Sequence, residues 1–169
     1  MKSFALGVAL LASIAFLATD ARAQSSDAVF TTRSLTVETA LRAAQAALDA
    51  CRKAGYQVGV AVTDRSGVLQ VYLRDRFAGA HTVEVAARKA WTSASFRMTT
   101  TALAAETQAG RSMSGIRNSP GVLAIGGGMP IESAGAVIAA IGVSGAPGGE
   151  ADDACAKAGI DAIQMDIEL

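Results

Sequence analysis

The first regular pattern of hydrophobic residues in the chain has the period of a helix. Apolar side chains recur at spacings of three and four residues on one face, namely Ala40, Leu41, Ala44, Leu48 and Cys51. Thr36 is a favourable N-cap before this stripe, and Gly55 favours a helix end after it. The pattern therefore predicts a first helix over residues 37–54.

The next two patterns are those of strands. The segments "YQVGVAVTD" and "VLQVYLR" flank a four-residue loop, Asp64 to Gly67, with glycine where a hairpin turn needs positive φ. Leu69, Val71 and Leu73 alternate with polar or mixed residues. We therefore predict a β-hairpin with one buried face.

The remaining patterns predict two helices, three strands and a last helix. Mostly small residues mark one side of a helix predicted over residues 82–97, namely Val83, Ala86, Ala87, Ala90 and Ala94. A short helix over residues 102–108 is followed by the strands "VLAIGG", "MPIES" and "VIAAIGVSGA", and by a helix in "PGGEADDACAKAGIDAI". This order predicts an α+β fold, in which helices cover an antiparallel sheet.

The first 23 residues have the pattern of a secretory signal peptide. Lys2 precedes an apolar run over residues 5–18, and Ala21-Arg22-Ala23 has the small-x-small form of a cleavage site. The run is too short to span a bilayer comfortably. We predict a signal peptide over residues 1–23, a loosely held lead-in over 24–33 and a single domain over 34–169. The mature protein is then periplasmic or secreted, with no membrane segment.

Charge and motifs exclude several function classes. The chain has 15 basic and 15 acidic residues, and this balance gives no electrostatic basis for nucleic-acid binding. The glycine-rich segments "IGGGMPI" and "GVSGAPGGE" match neither a P-loop nor a dinucleotide fingerprint, and tight turns explain them. No G-x-S-x-G elbow, C-x-x-C motif or Cys/His cluster occurs. Hydrolase, redox and zinc chemistry therefore have little support.

His81, the single histidine, is the residue with the clearest potential as a ligand. Its helical face continues through Val85, Lys89 and Phe96, and Lys89 lies about 12 Å further along the axis. An imidazole, apolar contacts and cations within reach of carboxylates are what haem requires. The spacing permits this arrangement but does not select it, because a histidine at a helix start is more often polar surface.

The chain from residue 35 onward resembles the GlcG/HbpS family of haem-binding and haem-degradation-associated proteins, which is related to the C-terminal domain of PduO-type corrinoid adenosyltransferases. The segments that carry the resemblance, in family order and spacing, are "LTVETALRAAQAALDACRKAG", "VAVTDRSGVLQVYLR", "HTVEVAARKAWTSASF", "SPGVLAIGGGMPIES", "VIAAIGVSGA" and "EADDACAKAGIDAI". The resemblance implies a profilin-like α/β/α sandwich with a five-stranded antiparallel sheet, and homo-oligomers.

The resemblance also bears on the two cysteines. From the residues alone, Cys51 and Cys155 are either a disulfide or two small buried side chains. In the resembled fold the first and last helices flank one side of the sheet. We therefore expect the two cysteines to lie within bonding distance.

The function implied is an exported haem- or tetrapyrrole-binding module, acting as a carrier or sensor rather than a fast catalyst. Two alternatives stay open: a small-molecule-binding or assembly subunit of an exported enzyme, without haem, and an oxidative haem-degrading enzyme. The chain lacks the E-x-x-E iron motif reported for a secreted family member, and "EADD" at residues 150–153 is the nearest segment.

The candidate haem contacts follow from the resemblance together with residue chemistry. His81 is the expected iron ligand, and Arg88 and Lys89 are the expected partners of the propionates. Trp91 or Phe96 is expected to pack on the ring. Met98 and Met113 are weaker alternatives for the iron.

Overall fold

The computed structural model describes residues 28–168, of which Thr32 onward belong to one compact unit. The predicted signal peptide and residues 24–27 of the lead-in lie outside the described residues. The elements are α1 (Val37–Lys53), β1 (Gly59–Asp64), β2 (Leu69–Arg74), α2 (Thr82–Phe96), α3 (Thr100–Glu106), a 3-10 turn (Ser114–Asn118), β3 (Gly128–Ser133), β4 (Ala136–Ser144), α4 (Gly149–Asp161) and α5 (Gln164–Ile167). The strands form one antiparallel sheet in the order β2-β1-β4-β3.

Helices cover both faces of this sheet. Side chains of the central strands, among them Val60 and Ile141, join α1 and α4 in the main hydrophobic core. On the opposite face α2 lies close to β4. Gly142 permits this approach, because a β-carbon at that position would collide with the backbone carbonyl of Ala86. The predicted small-residue stripe of α2 thus serves close packing against the sheet, with Ala86 and Ala90 fully buried.

A disulfide joins the first and the last long helix. Cys51 of α1 and Cys155 of α4 are bonded, with their Cα atoms 5.5 Å apart. This confirms that the two cysteines lie within bonding distance. The bond closes over a sequence separation of 104 residues, so it ties the two ends of the domain together.

The described part of the sheet has four strands, so the expectation of five is wrong. The predicted strand "VLAIGG" is an extended loop instead, because side chains of α2 take up its backbone groups. Arg88 donates to the carbonyls of Gly121 (3.3 Å) and Val122 (3.1 Å), and the Leu123 N–H donates to Thr92 Oγ1 at 3.0 Å. Val122 and Ala124 of the loop pack into a small cluster around Leu103 rather than into the sheet.

Four helix boundaries differ slightly from the predicted ones, among them the end of α3, which lies at Glu106 rather than at residue 108. The helix α1 ends one residue earlier, at Lys53, and α2 ends at Phe96 because Arg97 adopts a left-handed conformation with φ 55°. The helix α3 begins two residues earlier, at Thr100, since the Thr99 hydroxyl accepts from the Ala102 N–H as an N-cap. Across residues 28–168, no helix has the length and apolar character to cross a membrane.

Candidate functional site

A cleft of about 700 Å³ opens at the start of α2, and we call it the His81 cleft. Its volume lies within the range of about 300–1,000 Å³ typical of small-molecule sites. One wall is α2, the opposite wall is the glycine-rich loop between β4 and α4, and the mouth is formed by the connector between β2 and α2. The lining residues used below are Gln57, Phe77, Gly79, His81, Val85, Lys89, Ile125, Ser144 and Asp152.

His81 occupies the N-cap position of α2, with an exposed side chain that makes no capping hydrogen bond. The imidazole ring lies close to Gly79, where the absence of a side chain leaves room for it. A β-carbon at Gly79 would lie 2.6 Å from His81 Cε1 and 2.7 Å from Nδ1, but 3.8 Å from Nε2. The Nε2 atom thus lies on the side of the ring away from Gly79, and it has no hydrogen-bond partner among the described residues. It is therefore open to a ligand in the cleft.

A buried ion pair forms the floor of the cleft. Lys89 Nζ donates to Asp152 Oδ2 at 2.7 Å and to the Val143 carbonyl at 2.9 Å, and both charged side chains are less than 5% exposed. Asp152 Oδ1 accepts from the Ala146 N–H at 3.1 Å. Burial raises the pKa of Asp152 above its ordinary value, while the hydrogen bond and the charge of Lys89 oppose that rise. The pair fixes the glycine-rich loop against α2.

The lining combines apolar and polar surface in similar amounts. Val85 and Ile125 contribute aliphatic surface, and Phe77 stands at the mouth with 79% of its surface exposed. Ser144 is buried at the end of β4, and within residues 28–168 its hydroxyl makes no hydrogen bond. A molecule with both apolar and polar parts, and with a group that binds imidazole, suits such a lining.

The structure does not bring the five candidate residues into one place. His81 and Lys89 line the His81 cleft. Arg88 and Trp91 line a separate groove of about 300 Å³, the Trp91 groove, which faces β1 and β2. One residue turns a helix by about 100°, so Arg88 points away from the face of Lys89. Phe96 lines neither cavity and packs against the cluster around Leu103.

The expected propionate partners have other bonds. Arg88 is engaged with Glu84 and with two loop carbonyls, and Lys89 is in the buried pair with Asp152. Of the two methionine alternatives, Met98 packs against the same cluster around Leu103 as Phe96 does, and Met113 lies half-exposed before the 3-10 turn. Neither methionine lines the His81 cleft.

Sequence reasoning missed two features of the site. The segment "RDRFAGA" has no helix or strand pattern, yet its Phe77 and Gly79 shape the mouth of the cleft. Asp152 stands in the segment "EADD", which in the sequence has only a partial likeness to an iron motif, yet it is the partner of Lys89. The phenylalanine is a large apolar residue in a polar turn, and this was the one local signal available.

The donor set suits a haem iron better than a bare metal ion. Over the described range, no group of three or more His, Cys, Asp or Glu side chains is placed to hold a metal. Protein sites for bare transition metals need three or four such ligands. Haem needs only an axial ligand from the protein, since the macrocycle provides the other nitrogens. A single open imidazole beside apolar surface fits that requirement.

Comparisons with known proteins identify relatives with the same fold. Residues 35–161 match the family model described as "Haem degrading protein HbpS-like". A double mutant of HbpS from Streptomyces reticuli is 34% identical, with a TM-score of 0.77 over 94% of this chain and 99% of that chain. A second HbpS structure is 39% identical, with a TM-score of 0.76 over 81% and 95% of the two chains.

A further similar solved structure is the complex of PduOC with haem. It is 26% identical to this chain, with a TM-score of 0.72 over 77% of this chain and 95% of that chain. No curated protein sequence matches the chain significantly.

Proposed function

Because the chain belongs to the HbpS-like family of haem-degrading proteins, we propose that it binds haem, or a closely related tetrapyrrole, in the His81 cleft. The observation that carries the proposal is the open Nε2 of the single histidine in a cleft that also presents the aliphatic side chains of Val85 and Ile125. The PduOC–haem complex supports the proposal, because it shows a related domain with this ligand.

Each part of the cleft has a role in binding. Haem would supply an iron that accepts a nitrogen ligand. His81 would provide that nitrogen through Nε2, which lies on the side of its ring away from Gly79. Val85 and Ile125 would contact the apolar ring, and the pair of Lys89 and Asp152 keeps the glycine-rich loop in position.

The binding experiment is an equilibrium titration of the purified mature protein with haemin. We expect a saturable Soret band at one haemin per chain, shifted from that of free haemin. The absence of any saturable shift would remove the haem proposal. It would favour the alternative of a small-molecule or accessory subunit that uses the same cleft without haem.

Oxidative haem degradation is the second candidate, because the matching family is described by that activity. Adding a reductant and oxygen to the loaded protein separates the two functions. A carrier or sensor retains its haem under these conditions, whereas a degrading enzyme loses the Soret band and releases a product. We favour the carrier or sensor, since Lys89 and Asp152, which also line the cleft, are buried and bonded to each other.

Export is part of the proposal. It is supported by the predicted signal peptide and by the disulfide between Cys51 and Cys155, because disulfides persist mainly in oxidising compartments. A periplasmic or secreted haem carrier would bind its ligand outside the cytoplasm.

We also propose that the protein is a homo-oligomer. Two large apolar side chains that line the Trp91 groove are substantially exposed, namely Leu69 (49%) and Trp91 (37%). Val68 (62%) and Val83 (50%), which adjoin lining residues in the sequence, are exposed as well. A group of exposed large apolar side chains of this kind favours a partner that covers it. Light scattering of the purified protein at micromolar concentration should give a multiple of the mature chain mass. A mass equal to one chain would contradict the proposal.

A further inference from the structure

A second cavity adjoins the His81 cleft, and we call it the arginine cavity. It has a volume of about 630 Å³ and is lined by Arg52, Gln57, Arg74, Asp75, Arg76 and Phe77. Gln57 and Phe77 line the His81 cleft as well, so the two cavities meet at these side chains. A ligand larger than the cleft can therefore extend past Phe77 into the arginine cavity.

The three arginines differ in how their charges are compensated. Arg52 is paired with Asp75 at 2.6 Å and with Asp49 at 3.0 Å. In the described part of the chain, Arg74 and Arg76 have no carboxylate within ion-pair distance. Arg74 donates to the Ala78 carbonyl, and Arg76 lies 6.0 Å from the centre of the Phe77 ring. Two exposed guanidinium groups are thus uncompensated beside the cleft.

The buried carboxylate of Asp75 does not cancel this positive charge. It is 4% exposed, and one of its oxygens accepts from both Nε and Nη2 of Arg52. One oxygen of Asp75 is therefore committed to Arg52 on α1, and the other, Oδ2, is buried without a hydrogen-bond partner in the described part of the chain. Asp49, the other acid at this place, also bonds to Arg52. The net charge of the arginine cavity is positive, and the surplus belongs to Arg74 and Arg76.

We infer that Arg74 and Arg76 bind the carboxylate groups of the ligand whose ring occupies the His81 cleft. This inference rests on the proposed function and narrows it to a macrocycle that bears free carboxylates. It gives Arg74 and Arg76 the role expected of Arg88 and Lys89, which are engaged elsewhere. Guanidinium groups bind carboxylates well, because their paired N–H donors match the two oxygens.

The test compares haemin with haemin dimethyl ester, in which both carboxylates are esterified. The wild-type protein should bind haemin about tenfold or more tightly than the diester, since esterification removes the charge that the arginines bind. In the double variant Arg74→Gln, Arg76→Gln, the affinity for haemin should fall to that for the diester, and the affinity for the diester should not change. The Soret maximum should stay in place throughout.

A charge-matched control separates local binding from general electrostatics. The double variant Arg42→Gln, Arg111→Gln removes the same charge from two exposed arginines that line neither cavity. It should retain the wild-type preference for haemin. The comparison of haemin and diester on the wild-type protein needs no variant, so a folding defect of the arginine variants would not affect it.

The outcomes distinguish the two proposals. If the wild-type protein binds haemin and its diester equally, or if the arginine variant keeps the wild-type preference, the role of Arg74 and Arg76 is refuted and haem binding stands. If neither compound gives a saturable Soret shift, the proposed function fails, and the inference fails with it.

Discussion

Replacement of both Cys51 and Cys155 by alanine should lower the free energy of unfolding by about 4 kcal/mol. The bond closes a loop with a sequence separation of 104 residues, and the chain-entropy model assigns about 4–5 kcal/mol to a loop of that size. Because α1 and α4 pack on each other beneath the sheet, the loss should also loosen α4 and the loop that lines the His81 cleft. Urea unfolding of the oxidised wild type and of the variant at equal protein concentration measures the difference.

Chemical reduction provides the matched control for this prediction. The wild-type protein in dithiothreitol should have nearly the same free energy of unfolding as the double-alanine variant. In both proteins the covalent bond between α1 and α4 is absent, and the other contacts are largely retained. A variant within 1 kcal/mol of the oxidised wild type would show that the bond contributes little to the stability of the folded state.

The second large effect is expected at Lys89. The substitution Lys89→Met should destabilise the protein by about 3–5 kcal/mol, because it leaves the buried carboxylate of Asp152 without its charged partner. The double variant Lys89→Met, Asp152→Asn should be clearly more stable than the single one. Its neutral amide can still accept from the Ala146 N–H, and it leaves no buried charge.

The same variant has a predicted pH dependence. Burial raises the pKa of Asp152, and without Lys89 nothing comparable opposes the rise. The folded state then binds a proton that the unfolded state releases, so stability falls as pH increases from the unfolded pKa through the raised folded pKa. The deficit of Lys89→Met relative to wild type should therefore shrink in acid. A deficit that is independent of pH would mean that lost packing, not the unpaired charge, causes it.

The fold was largely predictable because most elements have strong local patterns. The helix α1 has a regular apolar stripe with a cap and a glycine stop, and the β1–β2 hairpin has alternation around a turn. The prediction of a strand in "VLAIGG" was wrong for a non-local reason. Its apolar run suits a strand, but its backbone bonds to Arg88 and Thr92 on a helix about thirty residues earlier. An apolar run alone does not show which partner takes its backbone groups.

The candidate site was predictable only where the helical period relates its members. His81 and Lys89 are eight residues apart and line one cleft, whereas Arg88, next to Lys89, faces the Trp91 groove. The partner of Lys89 is Asp152, which lies 63 residues further along the chain. Arg74 is the last residue of β2, and Arg76 lies in the connector that follows, where no periodic pattern relates either of them to His81. These relations depend on tertiary packing, which no local pattern contains.

The central claim is that His81 provides a nitrogen ligand to haem in this cleft. It is tested most directly by haemin titration of wild type, His81→Ala and Val83→Ala, the last being an exposed residue of the same helical turn outside the cleft. We predict that His81→Ala shifts the Soret maximum and weakens haemin binding at least about tenfold. Val83→Ala should match wild type. An unchanged Soret maximum and affinity in His81→Ala would contradict the claim.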